Sequence, residues 1–81
     1  MKYEEFLALV AENIRRLRAE KGLTQEDMDF GEFGIPVPTY TKIEQGRNKD
    51  VKLSSLFTIA KRLGVEPYEL LYLGDESKKI S

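Results

Sequence analysis

No residue in this chain can act as a thiol nucleophile or an imidazole base, because it contains no cysteine and no histidine. The same absence removes disulfides and the usual zinc sites. Fourteen Asp and Glu side chains remain. Adjacent carboxylates such as Glu26 with Asp27, or Asp75 with Glu76, lie on a surface helix or a tail and do not converge on a cleft, as general acid–base chemistry requires. The chain is therefore expected not to be an enzyme and to need no cofactor or metal. What is left is recognition through charge and hydrogen bonds. Net charge is −1, but it is unevenly placed. Residues 1–40 hold five basic and eight acidic side chains, and residues 41–81 hold eight and six. Within 41–62, six basic side chains stand against two acidic ones. A polyanion-binding protein needs a local basic face, not an overall basic composition. Lys42 to Lys52 is the candidate for that face. On charge alone, an ordinary solvated loop explains the segment equally well.

These residues must be held by a small frame. The chain has 81 residues, of which 41% are hydrophobic and 33% charged. That is enough for one domain, with no room for a second, ligand-sensing one. Its hydrophobicity and near-balanced charge argue against disorder. Apolar runs fall short of a membrane span, and Met1-Lys2-Tyr3-Glu4-Glu5 is not a signal peptide. A soluble, cytoplasmic protein is expected.

Residues 4–21 carry Leu7, Val10, Ile14 and Leu17 on one helical face, widened by Phe6 and Ala11. Gly22 ends that helix. Thr24 is a good N-cap for a short second helix, with Glu26 and Asp27 in its first turn. Gly34-Ile35-Pro36-Val37-Pro38 forms a turn, and a third helix is expected over 37–45, because proline is tolerated in a first turn. Tyr40 and Ile43 would point inward. Thr39, Thr41, Lys42 and Gln45 would point outward. Arg47 to Lys52 is a polar loop. A fourth helix, 53–63, presents Leu53, Leu56, Ile59, Ala60 and Leu63 to the core. A fifth runs from Pro67 to about Leu73, with Leu70 inward and Gly74 at its end. Residues 75–81 read as a flexible tail. The pattern is all-α, with five short helices in one domain over residues 1–74.

Two short helices joined by a tight turn, the second followed by a basic loop, describe a helix-turn-helix. Such a unit seats a polar side chain and helix amides on phosphates and sends its second helix into the major groove, where base edges are readable. The sequence from Gly22 to Met28, then Gly34-Ile35, then Thr41-Lys42-Ile43-Glu44-Gln45-Gly46-Arg47, resembles the Cro/repressor-type (Xre-like) helix-turn-helix family. Leu53 to Val65 and Glu69-Leu70-Leu71 resemble that family's fourth and fifth helices. The match spans roughly residues 12–72.

The resemblance implies a five-helix, repressor-like domain. It also implies a transcriptional regulator that binds duplex operator DNA sequence-specifically, as a homodimer. Phage repressors, restriction–modification controllers and antitoxins belong to the family. Gln25 matches the phosphate-clamping glutamine. Val37, Pro38 and Lys42 match base-facing positions, with Thr39 and Thr41 beside them. Gln45 matches a second phosphate contact, and Arg47, Asn48 and Lys49 match the loop that grips the backbone. Glu44 matches an acidic residue that pairs with an arginine of the first helix, here Arg18 or Arg15 ahead of Arg16. Tyr68, Leu71 and Tyr72 are left partly exposed on the last helix and form the candidate dimer interface.

The sequence departs from the family pattern in its extra length between Met28 and Gly34 and in the loop from Arg47 to Lys52. It departs also at Pro36-Val37-Pro38, where polar residues are common. Apolar Val37 and Pro38 either make van der Waals contact with thymine methyls or serve local helix initiation with no role toward DNA. The competing reading is a protein-interaction module on the same fold, an antitoxin or adaptor that docks a protein such as a toxin and has weak or no base reading.

Overall fold

The computed structural model describes residues 1–29, 31 and 34–73. Phe30 and Phe33 lie outside the described residues, as do Gly74 and the tail at 75–81. Among the described residues there are four α-helices, α1 (Tyr3–Glu20), α2 (Val37–Glu44), α3 (Leu53–Leu63) and α4 (Tyr68–Leu71). A 3₁₀ turn, Glu26–Asp29, stands between α1 and α2. The described residues include no strand, and the all-α expectation holds.

α1 buries the expected face: Leu7, Val10, Ala11, Ile14 and Leu17. Glu4 and Glu5 occupy its first turn and Arg18 its last, which suits the helix dipole. The expected second helix is only one turn of 3₁₀. Its start is as predicted: the Thr24 amide donates to Asp27 Oδ2 (2.8 Å), and the Asp27 amide donates to Thr24 Oγ1 (3.1 Å). This reciprocal cap nucleates a turn. Hydrogen bonding to the carboxyl by the Thr24 backbone first, and then by its side chain, holds Asp27 below its ordinary pKa. The helix cannot extend, because the Met28 carbonyl accepts the Ile35 amide at 2.8 Å. In a continuing α-helix it would accept from four residues on.

α2 opens at Pro36, whose carbonyl accepts the Tyr40 amide at 2.9 Å. It closes with a paired C-terminal motif. The Gly46 amide donates to Ile43 and the Arg47 amide to Lys42. Gly46 has φ +70°, a conformation that side-chain-bearing residues resist. Gln45, expected inside the helix, is its C-cap.

Val10, Ile14, Leu17, Met28, Ile35, Tyr40, Ile43, Ile59, Ala60, Leu63 and Leu70 form one core cluster. α1 packs against both α2 and α4. One expected core residue is misplaced: Leu53 is 80% exposed. α3 overhangs the core at its first turn, and Val51, in the chain leading into α3, packs against the cluster. α4 is shorter than the expected 67–73, because Tyr72 is already extended (φ −70°, ψ 123°). One turn of helix is not stable alone. Leu70, fully buried, anchors it in the core. Asn13 Nδ2 holds it from α1, donating to the carbonyls of Leu70 (3.0 Å) and Tyr72.

Leu70→Ala is expected to lower unfolding free energy by about 2–5 kcal/mol, through lost burial and a residual cavity. Leu53→Ala is expected to change it by no more than about 0.5 kcal/mol. Urea titrations of both variants check the assignment; a large cost at Leu53 would place it in the core.

Candidate nucleic-acid interface

Burying a carboxylate costs several kcal/mol unless it is paired and hydrogen-bonded. Glu44, at the end of α2, is 3% exposed. Two arginines of α1, one turn apart, satisfy it. Arg18 forms a two-point pair, Nε to Oε2 at 2.8 Å and Nη2 to Oε1 at 3.0 Å. Arg15 Nη1 donates to the Glu44 backbone carbonyl at 2.6 Å. Both arginines favoured from the sequence therefore act on Glu44, one on the side chain and one on the main chain. Arg18 Nη1 also donates to the Leu23 carbonyl at 2.8 Å, tying the segment after α1 to the same centre. Burial alone would raise the pKa of Glu44. The hydrogen bonds it accepts, led by Arg18 with Gln25 beside it, outweigh burial and hold the pKa below its ordinary value.

Tyr40 lies fully buried next to this pair. Burial first, and then the Glu44 carboxylate, push its phenol pKa up. Its hydroxyl feels both charges but finds no hydrogen-bond partner among the described residues.

Gln25 is positioned by the same network. Its Nε2 donates to Glu44 Oε1 at 3.0 Å, and its Oε1 accepts from Thr41 Oγ1 at 3.3 Å. The two contacts fix which way the amide faces and leave one N–H of Nε2 uncommitted. Thr41 is thus turned partly inward, against the expectation that it points out. Pro38, Thr39, Lys42 and Gln45 are exposed, and Val37 is half-buried.

At the C-terminal end of α2 the loop is shaped by its own side chains. Arg47 Nη1 donates to Gln45 Oε1 at 2.9 Å, while the Asp50 amide donates to Asn48 Oδ1 at 3.0 Å. The Asn48 amide nitrogen is left as a donor. The Tyr3 hydroxyl donates to the Lys49 carbonyl, fastening the loop to the start of α1. Arg47, Lys49 and Lys52 are exposed. Because Arg18 neutralises Glu44, Asp50 is the only other carboxylate among residues 42–52 to offset this basic stretch. No three acidic side chains among the described residues come together as a metal would need, and no described helix is long and apolar enough to cross a membrane.

A second exposed surface lies on α4. Tyr68 is 70% and Tyr72 60% exposed, with Leu71 beside them. They are far from α2 in sequence, and Tyr72 flanks open grooves along α1 near Arg16. Asn13 is the positioning residue that pattern reading missed. The available signal was a short amide-bearing side chain next to the apolar stripe of α1, where a longer polar residue would simply reach solvent.

The helix-turn-helix family profile matches residues 14–70. An uncharacterized HTH-type transcriptional regulator of Sinorhizobium fredii, y4dJ, is 38% identical over 69 residues, spanning 85% of this chain and 87% of that protein. The restriction-modification controller protein C.AhdI from Aeromonas hydrophila superposes with TM-score 0.72 at 33% identity, covering 79% of this chain and 94% of its own. The hypothetical transcription factor NHTF from Neisseria gives TM-score 0.78 at 28% identity, covering 100% and 91%. The chain belongs to the helix-turn-helix family of transcription regulators, which are not enzymes.

Glu44→Gln keeps the shape and removes the charge. It is expected to cost about 3 kcal/mol, the low end for a broken buried pair, because the Arg18 side chain is 20% exposed. A depressed carboxylate pKa stabilises the fold fully above its ordinary value of 4.5, and that stability is lost as pH falls through the lower folded value. Urea titrations from pH 7 to pH 3 should therefore show wild type converging on the variant. A gap that stays constant over that range would show that the Glu44 ionisation does not matter.

Proposed function

We propose that this chain is a small transcriptional regulator that binds duplex operator DNA sequence-specifically as a homodimer. The observation that carries the reading is the mounting of α2. Arg15 and Arg18 grip its last residue from a long helix, while Pro38, Thr39 and Lys42 are left exposed. A helix held this way can enter a major groove in a fixed register. Gln25 clamps a backbone phosphate with its uncommitted N–H. Arg47, Asn48 and Lys49, with Gln45 at the helix end, grip the sugar–phosphate backbone. Val37, Pro38, Thr39 and Lys42 face the bases, and Thr41 supports them through Gln25. Two copies joined through Tyr68, Leu71 and Tyr72 place their reading helices about one DNA turn apart, roughly 34 Å. Two-fold binding makes occupancy steep in concentration, which suits autoregulation. A ligand of this kind places the protein in the cytoplasm.

A second reading is favoured by two observations: the apolar start of α2 and the net charge of −1. On that reading the fold docks a protein partner, such as a toxin, and does not read DNA.

Salt separates the two. Titration into labelled duplex from the gene's own upstream region, at two salt concentrations with a scrambled duplex beside it, is expected to show tight and selective binding. Affinity should fall with a log–log slope of about −0.9 per phosphate contacted. Lys49→Ala is expected to make that slope shallower by about one unit, with the fold unchanged. Tyr72→Asp is expected to shift sedimentation from dimer to monomer. Equal, salt-independent binding to both duplexes would favour the protein-docking reading.

A further inference from the structure

The start of α2 is apolar, Pro36-Val37-Pro38, where polar residues usually open a helix. A helix N-terminus is usually capped by Ser, Thr, Asp or Asn, with acidic residues in its first turn. Here the N-cap is Pro36, no side chain caps the helix, and the first turn carries no acidic residue. Pro36 and Pro38 have no backbone N–H. The Tyr40 amide is already spent on the Pro36 carbonyl. Pro36 and Pro38 are exposed and Val37 half-exposed, so three successive apolar side chains lead the helix, ahead of the exposed Thr39.

In the major groove thymine shows a C5 methyl and an O4 acceptor, and cytosine shows a bare C5–H and an N4 donor. The side chains of Pro36, Val37 and Pro38 hold neither donor nor acceptor. They can gain from a methyl, but they cannot distinguish O4 from N4. We infer that this edge reads pyrimidine C5 methyls as such, so that it accepts 5-methylcytosine in place of thymine. This rests on the DNA-binding reading above. Its consequence is that cytosine methylation creates or strengthens a site for this protein at positions where unmethylated cytosine is rejected.

The test uses the full-length chain and duplexes enriched by it from a randomised pool. The best duplex is rebuilt with each thymine replaced singly by uracil, which removes only the methyl. At the positions this weakens, T·A, U·A, C·G and 5-methylcytosine·G duplexes are compared. Loss of one contacted methyl is expected to weaken binding about fourfold. 5-Methylcytosine is expected to bind within twofold of thymine, and cytosine at least as weakly as uracil. Val37→Ala and Pro38→Ala should each shrink the thymine-to-uracil ratio at their own position while leaving the salt slope unchanged. Pro38 is exposed, so its variant tests the contact without disturbing the core. Uracil matching thymine at every position overturns the inference, as does 5-methylcytosine binding no better than cytosine. Failure to enrich any duplex overturns the DNA-binding reading itself, and this inference with it.

Discussion

The ion pair between Arg18 and Glu44 is the contact on which the placement of α2 depends. Apolar packing of Tyr40 and Ile43 would hold α2 against α1, but such contacts allow sliding and rotation. A buried carboxylate met by a planar guanidinium at two points does not. Replacing such a pair with apolar residues can be neutral or stabilising, so its value here lies in register more than in stability. The register matters because Gln25 is set by the same carboxylate. One acidic side chain thereby fixes both α2 and the Gln25 side chain beside it.

α1 is the shared mount for both exposed surfaces. Its Arg15 and Arg18 hold α2, and its Asn13 holds the end of α4. These three residues lie within two turns of one another on an unbroken helix of 18 residues. The relative placement of α2 and the end of α4 is therefore set by one rigid element and not by the loops between helices. Tyr3, at the other end of α1, fastens the basic loop. Everything assigned a role in recognition thus hangs from one helix that points no base-reading side chain of its own.

Much of this was legible in the sequence because it depends on local rules. The apolar spacing from Leu7 to Leu17 and the helix-ending Gly22 follow from side-chain type and separation, whereas the pairing of Glu44 with an α1 arginine was legible only through the resemblance to the family. The misreadings arise where a distant contact overrides a local one. The second helix stops at one turn because Ile35, seven residues on, takes the Met28 carbonyl. Leu53 belongs to an apolar stripe but sits beyond the end of the core, where Val51 packs instead. Thr41 turns toward Gln25 because a buried network needs its hydroxyl. Asn13 has no periodic signature, since its partners are main-chain carbonyls whose position no pattern of side chains encodes.

The span of these bonds bears on how the protein comes into being. Asn13 meets Leu70 across 57 residues, and Tyr3 meets Lys49 across 46. Synthesis delivers α1 first, and its apolar face has no finished partner until Ile59, Leu63 and Leu70 have followed. Local pairs form early, whereas closures over such lengths wait until both partners have been made. A half-made chain therefore presents a bare amphipathic helix, with neither α2 nor α4 yet mounted on it. The helix that positions everything else is the first to be made and the last to be fully covered.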